Sequence, residues 1–348
     1  MAASTYRSFN IFRSRLGTRK YCTNVHDKPS PFMVQEVLEQ LNLQDGQTVL
    51  DMTFGDGLHT EALLKSNDNV KVIALDRDPY AIEKAKALTL KYPGRLQPLL
   101  GRFSDLPVLL SPIGIKINTL DALMFDLGCS SIQLNDASRG FSSEVDGPLD
   151  MRMDGPSALN SITAYDILTR ADEQDLGRIF KTYGSENQAR KIARSIVTCR
   201  YTFQGLNSTG ELKEFLKSIL EEKSGRVVKN VFFALRSFVN NELNELNFAI
   251  RFAEAYLKKG GRMISLTFNQ VEDTIVKRHV SGNVLETNPN PMPLKYYGQA
   301  FNLSVEEMNE LRKSIWAPLS KHVITPENHF KSMNPRIRDA KLRGAIKL

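Results

Sequence analysis

Three aspartates in the sequence each close an apolar run: Asp51 after TVL, Asp76 after VKVIAL and Asp126 after LDALMF. A carboxylate at the end of a buried strand is placed to accept hydrogen bonds from the hydroxyls or amines of a ligand. Between the first two lies DMTFGDGLHT, Asp51 to Thr60, where Gly55 and Gly57 let the backbone approach a ligand without a side-chain clash. A phosphate loop would need Gly-Lys-Ser/Thr where this chain has His59-Thr60, which removes that chemistry. Two readings remain. Gly55-x-Gly57-x-x-Thr60 misses only the last glycine of a dinucleotide fingerprint, and Asp76 lies near the right distance for a ribose. In the other register, Asp51-x-Thr53-x-Gly55-x-Gly57, an acid ends the strand and small residues alternate. That pattern suits S-adenosylmethionine (SAM), whose sulfonium has no pyrophosphate to seat. The residues favour SAM over a nicotinamide dinucleotide, with Asp76 on the ribose hydroxyls and Asp126 at the ligand-binding edge of the sheet. His59 reads equally as a ligand contact or as a packing residue.

The elements that must hold these residues follow from periodicity and punctuation. SPFMVQEVLEQLNL predicts a helix with Ser30 as cap, Pro31 in the first turn and Val34, Val37, Leu38 and Leu41 on one face. Asp45-Gly46 predicts a turn, TVLDMTF a first strand and VKVIALD a second. DPYAIEKAKALTLKY predicts a helix capped by Asp78, with Ala81, Ile82, Ala85 and Leu88 buried. LQPLLG and LDALMFDLG read as strands three and four. Strand, helix, strand, helix at this spacing implies an α/β fold with a parallel, Rossmann-like sheet. The rhythm stops from about Asn135 to Arg226, where the chain is helical without a convincing strand. It resumes with FFALRSFVNNELNELNFAIRFAEAYLKKGG, read as one long helix stopped by Gly260-Gly261, and RMISLTF, a fifth strand. The expected layout is a leader over 1–26, a ligand-binding domain over 27–134 and 227–348, and a helical insertion over 135–226. Residues 281–300, with Pro289, Pro291 and Pro293, read as a loop.

Composition narrows the class. The net charge of +7 comes from the ends: five basic residues and no acid in 1–26, and six basic residues against Glu327 and Asp339 in 322–348. The body between them is slightly acidic, so the overall charge alone does not mark it as a polyanion binder. The leader, with Arg7, Arg13, Arg15, Arg19 and Lys20 and an apolar set of Phe9, Ile11, Phe12 and Leu16, has the composition of a mitochondrial transit peptide. No run approaches the roughly 20 apolar residues of a bilayer span, so no membrane is expected. Cys22, Cys129 and Cys199 are too few and too scattered for a disulfide framework or zinc, and no metal is expected.

The most specific stretch is FDLGCSSIQLNDASRGFSSEVDGPLDMRMD, Phe125 to Asp154. With YGSE at Tyr183, ARKIARSIV at Ala189, ALRSFVNNEL at Ala234, GGRMISLTF at Gly260, EDTIVK at Glu272 and NPRIRDAKLR at Asn334, it resembles the MraW/RsmH family of SAM-dependent methyltransferases. These methylate the exocyclic N4 amine of a cytidine in small-subunit ribosomal RNA. The resemblance runs from about His26 to Arg343 and, with the leader, implies a mitochondrial member acting in the matrix. It carries cofactor contacts onto Gly57, Leu58, His59, Asp76, Phe103 (against the adenine), Asp126 and Gln133, with Gly55 beside them. Leu58 stands where the family has a glycine, and Asn269 and Gln270 where it has His and Ser. The partners implied are small-subunit ribosomal RNA or the assembling mitochondrial small ribosomal subunit, with a homodimer as an open possibility.

Asp126 and the carbonyls of Leu127 and Gly128 are the candidates for orienting the amine, with Asp150 and Asp154 second and more in keeping with ion pairs to Arg152 or Arg139. RNA contacts are expected from Arg139, Arg152, Arg190, Lys191 and Arg194, the last three on RIFKTYGSENQARKIARSIVTCR, and from the basic C-terminal tail. Cys129 follows strand four, where cytosine C5 chemistry would place a nucleophile, but reads as packing. A SAM-binding ribosome assembly factor whose catalysis is dispensable is the alternative that the Asn269 and Gln270 departures keep open.

Overall fold

Apolar runs that end on a polar residue become the strands of one sheet in the computed structural model, which describes residues 32–156, 158, 161–202, 205–220, 225–281, 314–326 and 338–348. In chain order these are α1 (Val34–Leu41), β1 (Thr48–Asp51), α2 (Leu58–Ser66), β2 (Lys71–Asp76), α3 (Pro79–Thr89), β3 (Leu96–Leu100), α4 (Leu106–Leu110) and β4 (Leu120–Asp126). Next come α5 (Ser131–Asn135), α6 (Ala164–Arg170), α7 (Glu173–Thr182), α8 (Ala189–Thr202), α9 (Thr209–Leu220), α10 (Arg226–Val239), α11 (Glu242–Tyr256), β5 (Leu257–Thr267), α12 (Gln270–Ser281), β6 (Trp316–Pro318) and β7 (Lys341–Lys347). The sheet order is β3-β2-β1-β4-β5-β7-β6. Strands β1 to β5 are parallel, whereas β7 runs antiparallel to both β5 and β6.

Alternation along the strands divides the core between two faces. Leu50, Ile73, Leu123, Phe125 and Met263 pack with α4, α11 and α12. Their neighbours Val49, Val72, Ala74, Met124 and Ile264 pack with α1, α2 and α3. A third cluster belongs to the helical stretch: Phe141, Leu149 and Met151 gather Ile167, Leu176, Phe180, Ile192, Ala193 and Leu212. Among the described residues no strand lies between β4 and β5.

Four expectations change. The long helix is two, because Asn241 takes a left-handed backbone (φ 54°) and the chain turns between α10 and α11. Asparagine tolerates that conformation better than most residues. Gly260-Gly261 does not stop a helix but lies inside β5, where a Cβ on Gly261 would come within 2.9 Å of the Lys258 carbonyl and 3.2 Å of the Asp121 carbonyl. The buried residues of α10, Val227, Val231 and Leu235, join the helical cluster. Finally, the basic tail is not a free arm over 341–347: it is β7, with Lys341 and Arg343 both bonded to Asp273. The Asp45-Gly46 turn and the Asp78 cap, which accepts from the Tyr80 amide, form as the sequence implies. Ser30, Pro31, Cys22, the leader and residues 282–300 lie outside the described residues.

Candidate active site

Sheet order reverses between β1 and β4, which opens a crevice at their carboxyl ends, the place where open α/β sheets bind ligands. The β1 loop forms one wall. Asp51 is fully buried and braces it: Oδ2 accepts from the Thr60 hydroxyl at 2.6 Å and Oδ1 from the Thr53 amide at 3.0 Å. Burial, only partly offset by the Thr60 and Thr53 hydrogen bonds and by His59, pushes the Asp51 carboxyl above its usual range. The Thr53 hydroxyl accepts from the Asp126 amide at 2.6 Å, which ties the loop to the tip of β4. Gly55 and Gly57 both have positive φ, 52° and 79°, and a Cβ on Gly57 would meet the Phe54 ring at 2.5 Å. Only glycine fits there. Leu58, by contrast, is the first residue of α2 and has no positive φ, so the lost family glycine removes nothing the turn requires.

Asp76 ends β2 partly exposed. Its carboxylate accepts from the Gly55 amide at 2.7 Å and the Asp78 amide at 2.8 Å. Burial, opposed by those two amides, leaves its pKa pushed up to about 6. Each carboxylate oxygen retains a further acceptor position, which suits a diol. Phe103 presents a half-buried ring beside Phe125, centroids 6.2 Å apart, on a turn pinned to α11. There Ser104 gives its amide and hydroxyl to Glu245 at 3.0 and 2.9 Å.

His59 and Asp126 face each other across the crevice floor, Nε2 to Oδ2 at 3.5 Å. Both ring nitrogens of His59 and Oδ1 of Asp126 lack a hydrogen-bond partner. Burial disfavours the imidazolium, but Asp126 and then Asp51 outweigh it and hold His59 above its ordinary range.

The remaining predicted residues divide. Gln133 is buried, donating to Asp78 Oδ2 at 2.9 Å and accepting from the Ser130 amide at 3.1 Å, so it braces the loop after β4. Arg139 is also buried and commits to Asp78 at 2.9 Å and to the carbonyls of Arg152 and Met153. It is not an RNA-facing cation. Arg152 chelates Asp150, as expected of that pair. Asp154 instead pairs with Arg77 and Arg102, at 2.6 and 2.5 Å. Arg190, Lys191 and Arg194 are exposed on α8, with Arg194 3.3 Å from Glu173. Asn269 caps the start of α12, its side chain accepting from the Val271 amide at 2.8 Å. Cys129 accepts from Arg236 at 3.4 Å and packs against the helical cluster.

Sequence reading missed a buried group beneath the loop after β4. Arg236 binds Glu242 through both ends of the fork at 2.8 Å and lies 3.6 Å from Glu272. Burial and the charge of Glu242 raise Glu272 to about 7 against the pull of Arg236. These residues come from three helices, and no local pattern marks them as neighbours. Among the described residues no group of three or more His, Cys, Asp or Glu is arranged to hold a metal, and no helix is long and apolar enough to cross a membrane.

These features fit SAM: a carboxylate with acceptor capacity for the ribose, an aromatic face for the adenine, a glycine loop between them and a partly exposed carboxylate, Asp126, at the reacting end. The sheet decides between the two cofactors left open by the loop. A dinucleotide Rossmann sheet is parallel in its standard order, whereas here β7 runs antiparallel between β5 and β6. That order is the one of Rossmann-like SAM-dependent methyltransferases, and the protein is of that class. Its sequence matches the MraW methylase family over residues 26–348, so the chain belongs to that family.

A protein of Drosophila melanogaster described as a probable methyltransferase-like protein 15 homolog is 42% identical over 353 residues, covering 98% of this chain and 99% of that one. The 12S rRNA N(4)-cytidine methyltransferase METTL15 of Mus musculus is 42% identical over 334 residues, covering 91% and 82%. A Culex quinquefasciatus protein named for a receptor-type tyrosine-protein phosphatase, mosPTP-1, is 43% identical over 326 residues, but the match spans only 22% of its length.

Proposed function

We propose that this chain transfers the methyl group of SAM to the exocyclic N4 amine of a cytidine in mitochondrial small-subunit ribosomal RNA, in the matrix, on the free RNA or on the assembling small subunit. Family membership, the name of the mouse relative and the transit-peptide composition of residues 1–26 support this reading. The observation that carries it is Asp126, a partly exposed carboxylate at the tip of β4 in the switch-point crevice of a chain from this family.

Bound SAM supplies a methyl group made electrophilic by its sulfonium. The cytosine amine is a poor nucleophile because its lone pair is delocalised into the ring, so the task left to the chain is positioning. Asp126 accepts a hydrogen bond from the amine and directs the lone pair outward, with the carbonyls of Leu127 and Gly128 beside it. Gly55, Gly57, Leu58 and His59 line the cofactor along the start of α2. Asp76 takes the ribose, Phe103 the adenine, and Gln133 acts through the loop it braces. The base must leave its stack to reach this depth. Residues 27–134 and 227–348 form the methyltransferase part and 135–226 the RNA-recognition part; the helices have a core of their own, which α10, at the start of the second methyltransferase segment, shares. The exposed cations of α8 are its RNA-facing candidates.

The test is Asp126→Ala, assayed by mass spectrometry of nucleosides from small-subunit RNA incubated with protein and SAM. Transfer is expected to fall about 100-fold, the scale of lost positioning. Undiminished N4-methylcytidine would remove Asp126 from the reaction. In cells, normal ribosome assembly with methylation lost would favour the assembly-factor role, which the capping use of Asn269 does nothing to support.

A further inference from the structure

We infer that His59 is a positioning residue for the transfer: its imidazole, beside Oδ2 of Asp126, fixes the orientation in which that carboxylate meets the cytidine amine. The inference rests on the cytidine N4 reading above and adds a role for a side chain that was otherwise only a neighbour of the cofactor.

The argument starts from what a buried imidazole requires. His59 is 8% exposed, and neither ring nitrogen has a hydrogen-bond partner. Buried polar groups are nearly always satisfied, and an orphaned one costs free energy unless something in its function uses it. Among the described residues, Asp126 is the one acidic side chain within ion-pair distance of that ring, 3.5 Å from Nε2. Asp51 is not in ion-pair range of the ring, and its oxygens are already engaged by Thr60 and Thr53. The Asp126 backbone is independently fixed, its amide on the Thr53 hydroxyl at 2.6 Å, so the carboxylate has only its side-chain torsions left to set. His59, 3.5 Å from Oδ2, is the group placed to set them; Oδ1 is buried, and the carboxylate as a whole is about a third exposed to the crevice. The charged groups acting on the imidazole are Asp126 from β4 and Asp51 from β1, both of which favour its protonated form. An imidazolium is the better anchor, because it makes the contact charge-assisted.

Two measurements test this. The five histidines are followed by NMR through a pH titration of the intact protein without RNA, with His59→Gln assigning the resonance. In Asp126→Asn the pKa of His59 is expected to fall, because the nearest carboxylate that favours the imidazolium is gone. An unchanged value overturns the pairing. In methyl transfer, His59→Ala is expected to lower kcat about 10- to 100-fold, a loss well beyond any fall in SAM affinity. His59→Gln, which retains a donor, should recover part of the loss. Adding His59→Ala to Asp126→Ala should slow transfer no further. Loss of SAM affinity in step with kcat would make His59 a cofactor contact instead, and additive losses in the double variant would separate it from Asp126. Either result overturns the inference. If the wild-type protein bound SAM, showed the NMR coupling and yet left RNA unmethylated, the proposed substrate would be wrong while the pairing stood.

Discussion

Asp76 shows how one residue can be legible in sequence and still acquire its chemistry only from its surroundings. Its place at the end of VKVIALD marks it as a ligand carboxylate, but its pKa of about 6 comes from burial that two backbone amides only partly offset. A ribose diol stabilises the ionised form, so binding should favour loss of the proton. The affinity for SAM is therefore expected to rise with pH through this pKa, by about tenfold between pH 5 and 7, and to lose that dependence in Asp76→Asn. Calorimetry across this range would show it. A flat wild-type profile would mean that the carboxylate is already ionised when the cofactor arrives. His59 and Gly57 were equally visible as residue types, since a positive-φ glycine and a histidine at a helix start stand out. What the histidine faces was not visible, because its neighbour Asp126 is far away in sequence.

At the scale of elements, punctuation was read well where the signal was local and poorly where it was not. Asp78-Pro79 starts α3 as its capping chemistry requires, and the apolar runs that close on Asp51, Asp76 and Asp126 are the strands. The break at Asn240-Asn241 escaped notice because the apolar period continues across it. The structure shows why it occurs: the Asn240 side chain accepts from the Met153 amide at 2.8 Å and donates to the Met151 carbonyl at 2.7 Å, joining α10 to the turn before α6. Arg139 was misread for a related reason. An arginine beside Asp136 and Gly140 suggests a surface, yet Asp78, on another element, draws it inward. Arg139→Ala would leave Asp78 buried without its cation, and is expected to destabilise the fold by about 3–5 kcal/mol. Denaturant unfolding measures this, and a stable variant with weaker RNA binding would restore Arg139 to the RNA surface.

At the scale of the whole molecule, the described chain has two apolar clusters on the faces of the sheet and a third within the helices, and Tyr183 packs against both the sheet and the helical clusters. The slightly acidic body makes net charge a poor guide to RNA binding; the cations proposed for it are exposed together on α8. Replacing Arg190, Lys191 and Arg194 on α8 together with Gln is expected to weaken binding to small-subunit RNA across sequences. It should also lower the slope of log affinity against log salt by about two to three, somewhat less than one per residue because Arg194 already has Glu173. An unchanged slope would place the RNA elsewhere.

The sequence by itself determined the α/β class, the glycine loop, the three strand-end carboxylates and the family, because each is written in residues close together along the chain. Tertiary structure added its own reason for the SAM register of the loop, through the antiparallel β7 that local apolar patterning did not reveal. It also decided which charges are spent inside the fold, as Arg139, Asp154 and Arg236 are, and which remain outside on α8. The reason is physical: a charge is neutralised by whatever folding brings within a few ångströms, and for these residues those partners lie on separate elements.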